Sequence, residues 1–206
     1  MDDAVEKVLT AFDERSRREW TSPGLAGGRD KMLLSVGRAA GVMLNLLVKE
    51  AGARRILELG TSYGYSAVWL AEAARATGGK VISLDVAGYK QVEAARSLAD
   101  AGLSDYVEFR SGDALEIIPR LEGPFDFVLL DIWKDLYGPC LELFYPKLAP
   151  GALIVADNML QPPDARPDAL RYRRLVRAKP GVTSVLLPVG QGLEVSRLAG
   201  PDDQGL

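Results

Sequence analysis

The chain has 206 residues, 48% hydrophobic and 26% charged, with a formal net charge of −3 and a pI near 5.2. That balance fits one soluble domain over residues 1–206, and it argues against a disordered chain, a membrane-embedded one, or one that lives on nucleic acid. Histidine is absent, which removes the commonest general base and the commonest transition-metal ligand, so any chemistry falls to carboxylates, Lys, Tyr, Ser or a hard cation held by oxygen. The single cysteine, Cys140, allows no intrachain disulfide and points to a reducing, cytoplasmic setting. The charged N-terminus lacks the order of a signal peptide, and the apolar run VMLNLLV is too short to span a bilayer, so no membrane partner is expected.

In chain order, residues 1 to 20 read as a helix, with Val5, Val8, Leu9 and Phe12 at helical spacing, closing at Trp20. TSPGLAGG reads as a loop. A second helix is expected from about Asp30 to Lys49, stopped near Gly52. From residue 51 onward, strand-like runs alternate with helical patterns: ILELG then SAVWLAEAAR, VISLDV then QVEAARSLADAG, YVEFRSGDA then LEIIPRL, FDFVLLD then YGPCLELFYPKL, ALIVADN then a basic helix near 168 to 178. Such alternation is the signature of βαβ units winding a parallel sheet with helices on both faces. The tail SVLLPVGQGLEVSRL adds two runs around GQG, as a closing antiparallel hairpin would, for seven strands in all.

In an open parallel sheet, ligands sit beyond the carboxyl ends of the strands. Here those ends are acidic: Glu58, Asp85, Gly112 with Asp113, Asp131, and Asp157 with Asn158. Gly60 and Gly64 in GTSYGYS permit a tight turn into a helix whose N-terminal amides suit a negative group, yet the spacing is neither a dinucleotide fingerprint nor a phosphate loop. Asp85, at the next strand end, is placed to hold ribose hydroxyls. The bland alternative is that the glycines serve strand-to-helix packing and Asp85 caps a loop. Asp131, Asp157 and Asn158, at the tips of expected neighbours, offer two carboxylates and an amide oxygen, a set suited to Mg²⁺ or another hard divalent cation. Lys134, beside that point and partly desolvated, can act as a base near neutral pH; alternatively its charge balances Asp131 or Asp135.

Taken together, REW near residue 20, ILELGTSYGYSAV, AGLSDYVEFRSGDALEIIPRL, DIWKDLY, ADNMLQP and the final GLE resemble the catechol O-methyltransferase family of class I S-adenosylmethionine-dependent methyltransferases. The resemblance implies a Rossmann-like core over 51–206, with the helices of 1–50 covering the site. It implies S-adenosylmethionine bound by Glu58, by Gly60, Ser62, Tyr63, Gly64, Tyr65 and Ser66 of the first turn, by Asp85 at the ribose, and by Gly112, Asp113, Ala114, Leu115 and Trp133 around the adenine, with Asp131 shared between cofactor and metal. It further implies Mg²⁺ on Asp131, Asp157 and Asn158, Lys134 as catalytic base, and a flat aromatic diol among Trp20, Trp133, Lys134, Asn158 and Pro162. The implied reaction is in-line methyl transfer to a hydroxyl of a catechol-like acceptor. Three features depart from the family pattern. Ile132 and Ala114 stand where a histidine and a serine would flank the adenine, Val185 falls near the place of an acid that seats one catechol hydroxyl and with which Glu194 does not align, and LQPPDARPD carries an insertion at the rim.

Rival readings are an RNA methyltransferase using Arg166, Arg171, Arg173, Arg174, Arg177 and Lys179, a non-catalytic nucleoside-binding module, and, least favoured, a nicotinamide dehydrogenase. The acidic remainder of the chain favours a solvated helix face over nucleic-acid binding. Monomer and homodimer are both compatible with the sequence.

Overall fold

The computed structural model describes residues 1–22, 28, 31–201 and 203. Helices α1 (Asp3–Thr21) and α2 (Arg38–Glu50) lead into β1 (Arg55–Leu59), α3 (Tyr65–Thr77), β2 (Lys80–Asp85), α4 (Gly88–Asp100), β3 (Val107–Ser111) and α5 (Ala114–Ile117). The chain continues through β4 (Phe125–Leu130), α6 (Tyr137–Phe144), β5 (Leu148–Ala156), α7 (Arg166–Arg177), β6 (Val182–Leu187) and β7 (Leu193–Leu198). The seven strands form one sheet in the order β3-β2-β1-β4-β5-β7-β6. β3, β2, β1, β4 and β5 pair in parallel, while β7 runs antiparallel to both β5 and β6.

The central strands are apolar on both faces because both are covered. Ile56, Phe127, Leu129 and Val155 join one core with Leu44 and Val48 of α2 and Val68 and Trp69 of α3, and Val5, Leu9 and Phe12 of α1 pack into it. Leu57, Val128, Leu130 and Ile154 join the opposite core with Tyr137, Leu141 and Phe144 of α6 and Tyr172 and Val176 of α7. The alternation of adjacent residues between the two cores is the period-two geometry of a strand.

One boundary differs from the sequence expectation. The second helix begins at Arg38, behind Gly37 at φ 81, rather than near Asp30. The apolar periodicity through Met32, Leu33 and Val36 is genuine burial, but the backbone there is spent on tertiary bonds: the Leu33 amide donates to Glu19 Oε2 at 2.6 Å, and its carbonyl accepts from Ser62 Oγ at 3.1 Å. Leu34 at φ 47 is incompatible with a continuous helix. Asp30 and most of the expected loop TSPGLAGG, residues 23–27, lie outside the described residues. No helix among the described residues is long and apolar enough to cross a membrane.

Candidate active site

The carboxyl ends of β2, β1, β4 and β5 form a continuous row, and backbone bonds extend the ladder past the strands. Gly60 and Thr61 amides reach the Leu84 carbonyl at 2.9 and 3.1 Å, Asp131 reaches Leu59 at 2.8 Å, and Asp157 reaches Leu130 at 3.0 Å. The acidic residues predicted at the strand ends are therefore brought together along one crevice.

On the β1–β2 side the polar groups are organised. Gly60, at φ 107, lies so close to the chain after β4 that a Cβ would overlap the Asp131 carbonyl, and a Cβ on Gly64, at φ 94, would stand 2.8 Å from that of Ala94. These two positions require glycine for close approach as well as for conformation. Asp85 accepts the Ser62 amide at 2.7 Å and the Ala87 amide at 2.8 Å, which fixes its carboxylate at the mouth of the turn. Behind the turn runs a chain of donors that the sequence analysis missed. Gln91 donates to Thr61 at 3.0 Å, Thr61 is 2.6 Å from Ser83, and Ser83 donates to Glu58. Glu58 is fully buried, and burial pushes its carboxyl up to about 7 against the pull of the Ser66 and Ser83 hydroxyls. Its Oε1 has no partner.

Two of the predicted cofactor residues turn their side chains elsewhere. The Tyr63 ring lies under the Arg15 guanidinium, 3.9 Å from its centroid, and the Tyr65 hydroxyl donates to Asp13 at 2.8 Å with its ring edge-on to Phe12. Both aromatics bind the turn to α1. Gly112 is tied to β2 through the Asp85 carbonyl at 2.9 Å, Asp113 caps α5 by accepting the Leu115 amide at 2.8 Å, and Ala114 is buried in the adjoining core.

The β4–β5 side is charged and incompletely satisfied. The Lys134 ammonium, largely buried, donates to the Ile132 carbonyl at 3.0 Å, the Tyr137 hydroxyl at 2.7 Å and Asn158 Oδ1 at 2.8 Å, with Asp131 Oδ1 at 3.7 Å. Burial lowers its pKa, opposed by Asp131 and Asp157. Asp157 is 1% exposed and neither carboxylate oxygen has a partner; burial and then the neighbouring Asp131 push its carboxyl up to about 8. Asn158 holds its place at φ 59, a left-handed conformation that asparagine tolerates. No cluster of three or more His, Cys, Asp or Glu side chains suited to a metal occurs among the described residues; the set here is two aspartates and an amide.

Tyr137 and Gln191 belong to this side and were not singled out from sequence. The buried Tyr137 hydroxyl lies 2.8 Å from the Leu130 carbonyl and 3.2 Å from that of Asp157, bridging the two strand tips, and Gln191 Oε1 accepts from Asn158 Nδ2 at 2.8 Å. The available signal for Tyr137 was its position one helical turn after Lys134; Gln191 had none beyond the GQG turn. Trp133 stands 60% exposed beside Lys134, and Pro162 lies past the β5 tip, while Trp20 is equally exposed in the last turn of α1. Val185 is exposed on β6, and the buried Glu194 is engaged by Arg173 and Arg177. Much of the basic face is thereby used internally, since Arg171 pairs with Asp168 and Lys179 with Glu142.

The family described as "Methyltransferase domain" matches residues 57–159, the stretch from β1 through Met159 and half of the chain. The chain is 36% identical to a catechol O-methyltransferase of Niastella koreensis, over 62% of this chain and 59% of that one, and 29% identical to caffeoyl-CoA O-methyltransferase 1 of Eucalyptus globulus, over 80% and 75%. It thus spans about three fifths of the length of the catechol O-methyltransferases it matches. The crystal structure of the O-methyltransferase from Bacillus cereus in complex with SAH superposes with a TM-score of 0.77 at 29% identity, covering 96% of this chain and 91% of that one. An acid-tipped parallel sheet closed by an antiparallel pair, with this matched stretch lining its crevice, places the chain in the catechol O-methyltransferase-like family of class I S-adenosylmethionine-dependent methyltransferases.

Proposed function

We propose that the protein transfers a methyl group from S-adenosylmethionine to a hydroxyl of a catechol-like small aromatic diol, with Mg²⁺ or another hard divalent cation held by Asp131, Asp157 and Asn158. The observation that carries this reading is the pair of partnerless oxygens on buried Asp157, next to a second aspartate and an amide oxygen. A buried carboxylate without donors is costly, and an oxygen-only set of two acids and an amide suits a hard cation. Such an ion supplies electrostatic lowering of the pKa of a hydroxyl that it touches. The relatives' names support the acceptor class, since one is named a catechol O-methyltransferase and another a caffeoyl-CoA O-methyltransferase.

The chain's own groups then divide the work. Glu58 Oε1, buried and without a donor, suits the ammonium of the donor's methionine portion. Asp85 accepts two amides and retains lone pairs for ribose hydroxyls. Burial disfavours the charged form of Lys134, so that as a neutral amine it can take the acceptor's hydroxyl proton onto Nζ, while Ile132, Tyr137 and Asn158 around it hold that atom in place. Charge is dispersed as a cationic sulfonium meets an anionic oxygen, so alignment and exclusion of water contribute most of the acceleration. The buried Cys140 accords with a reducing cytoplasm.

The test is methyl transfer from S-adenosylmethionine over a panel of catechols and mono-phenols, with MgCl₂ and with chelator. Turnover of catechols that chelator abolishes is expected. Mono-phenol turnover that persists in chelator removes the cation, and no turnover of any diol removes the acceptor class.

A further inference from the structure

We propose that Gln191, in the turn between β6 and β7, is a positioning residue that holds the Asn158 amide with its oxygen toward Asp131 and Asp157 and its nitrogen away. The inference rests on the cation reading above and adds to it a residue from a different part of the fold.

A side-chain amide is nearly symmetric in shape and presents either a donor or an acceptor, and only the acceptor can ligate a cation. Two neighbours decide the matter for Asn158. Lys134 has protons and no acceptor, and it lies 2.8 Å from Oδ1; Gln191 offers Oε1 at 2.8 Å to Nδ2. The lysine bond occupies one of the two lone pairs of Oδ1 and leaves the other for a cation, but it acts on the oxygen alone. The bond to Gln191 is the one that holds the nitrogen, on the side away from Lys134, and so keeps it from turning inward.

The turn is built to place Gln191 there. Its carbonyl accepts the Leu160 and Gln161 amides at 2.9 and 3.2 Å, and the Gly192 carbonyl accepts the Met159 amide at 3.0 Å, so the segment after Asn158 is fastened to the hairpin on both sides of the contact. Gly192, at φ 95, sits so close that a Cβ would be 2.6 Å from Leu160 Cγ and 2.9 Å from the Leu160 amide nitrogen. On the other flank, a Cβ on Gly190 would stand 3.1 Å from the Val36 carbonyl, just ahead of α2. The antiparallel hairpin thus carries a side chain into the crevice that the parallel strands open.

Calorimetric titration of MgCl₂, with no methyl acceptor present, tests the assignment on wild type, Gln191→Met and Gln191→Glu. Methionine keeps length and neutrality but loses the acceptor, and its Mg²⁺ affinity is expected to fall about tenfold or more. Its dissociation constant for S-adenosylmethionine and its ion-free melting temperature should match wild type. Glutamate retains an acceptor and is expected to bind Mg²⁺ at least as tightly as wild type. Equal Mg²⁺ affinity in wild type and Gln191→Met overturns the assignment while leaving the cation site standing. So does a loss in Gln191→Glu, or a methionine variant weakened equally toward the methyl donor and in melting, which is the mark of a loosened hairpin. Wild type that takes up no Mg²⁺ overturns the cation reading and this inference together.

Discussion

Two buried carboxylates stand one strand and one residue apart, and their surroundings could hardly differ more. Glu194 on β7 lies opposite Ala156, the last residue of β5, and Asp157 follows directly. Glu194, with no exposure, accepts from Arg173 at 2.9 Å, Arg177 at 2.7 Å and Ser184 at 2.6 Å. Asp157, with almost none, accepts from nothing, and its nearest cation, Lys134, is engaged with three other oxygens. The first arrangement is how a fold neutralises a buried acid that ties a helix to a sheet. The second leaves the desolvation cost uncompensated, and that cost is carried where a ligand completes the site. Burial alone therefore does not separate structural acids from functional ones; the count of donors around them does.

The comparison is broken most severely on the unsatisfied side. Lys134→Ala is expected to reduce turnover by about 10²–10⁴-fold, the usual contribution of a positioned base, with affinity for S-adenosylmethionine unchanged. Single-turnover kinetics beside a cofactor titration checks both halves, and unchanged turnover would remove Lys134 from the mechanism. On the satisfied side the damage is to folding. Glu194→Ala leaves Arg173 and Arg177 without their acceptor and, since both guanidinium groups are partly exposed and can turn to water, is expected to cost about 1–3 kcal/mol, read by denaturant unfolding.

Asp157→Asn should move stability the other way. Replacing an unpaired buried acid by a neutral isostere is expected to stabilise the ligand-free protein by roughly 1–3 kcal/mol at pH 8 while abolishing its response to Mg²⁺. A stability loss matching that of Glu194→Ala would mean that the two acids do the same job.

The pH dependence sharpens the same contrast. Asp157 is raised to about 8 and Glu58 to about 7 by burial, so in both cases the folded state holds a proton that the unfolded chain releases near pH 4. The stability they contribute is full below that lower value and is lost progressively as pH rises from there through the folded values of about 7 and about 8. The melting temperature of ligand-free protein is expected to fall over that range more steeply in wild type than in Glu58→Gln. Added MgCl₂ should raise it at pH 8 and hardly at pH 5, because the ion competes with the Asp157 proton. Equal shifts at both values would show that the ion binds elsewhere.

The strands were legible because βαβ units write their pattern locally: apolar runs such as FDFVLL end in an acid, and a helix follows. The strand-end acids were legible for the same reason, since topology alone carries them to one edge. What escaped the sequence depends on distant partners. Met32, Leu33 and Val36 imitate the spacing of a helix, and only Glu19 and Ser62 reveal that their backbone is committed elsewhere. Tyr63 and Tyr65 sit in the right turn, but their rings are claimed by α1. Gln191 lies 33 residues from the asparagine it contacts, across a hairpin whose docking no local pattern announces. Arg173 and Arg177 read as part of a solvated basic face because the acid that draws them inward, Glu194, lies on the last strand, beyond the turn of the closing hairpin.

That basic face supplies the smallest expected effects. Arg171 pairs with Asp168 at 3.2 Å and Lys179 with Glu142 at 2.6 Å, both at the surface, where screening and side-chain entropy leave each bond worth under about 1 kcal/mol. Arg171→Ala and Lys179→Ala should each shift stability by less than that, in contrast to the loss of Glu194, which Arg173 and Arg177 of the same helix engage. The same substitutions separate the acceptors. If the acceptor is a small diol, removing Arg166, Arg171 and Arg174 together leaves methyl transfer intact, and wild type shows no binding to RNA that weakens steeply with salt. Salt-dependent RNA binding in wild type, lost together with activity in the triple variant, would instead make the outer side of α7 a phosphate-binding surface, because contacts with a polyanion respond to ionic strength in a way that contacts with a neutral diol do not.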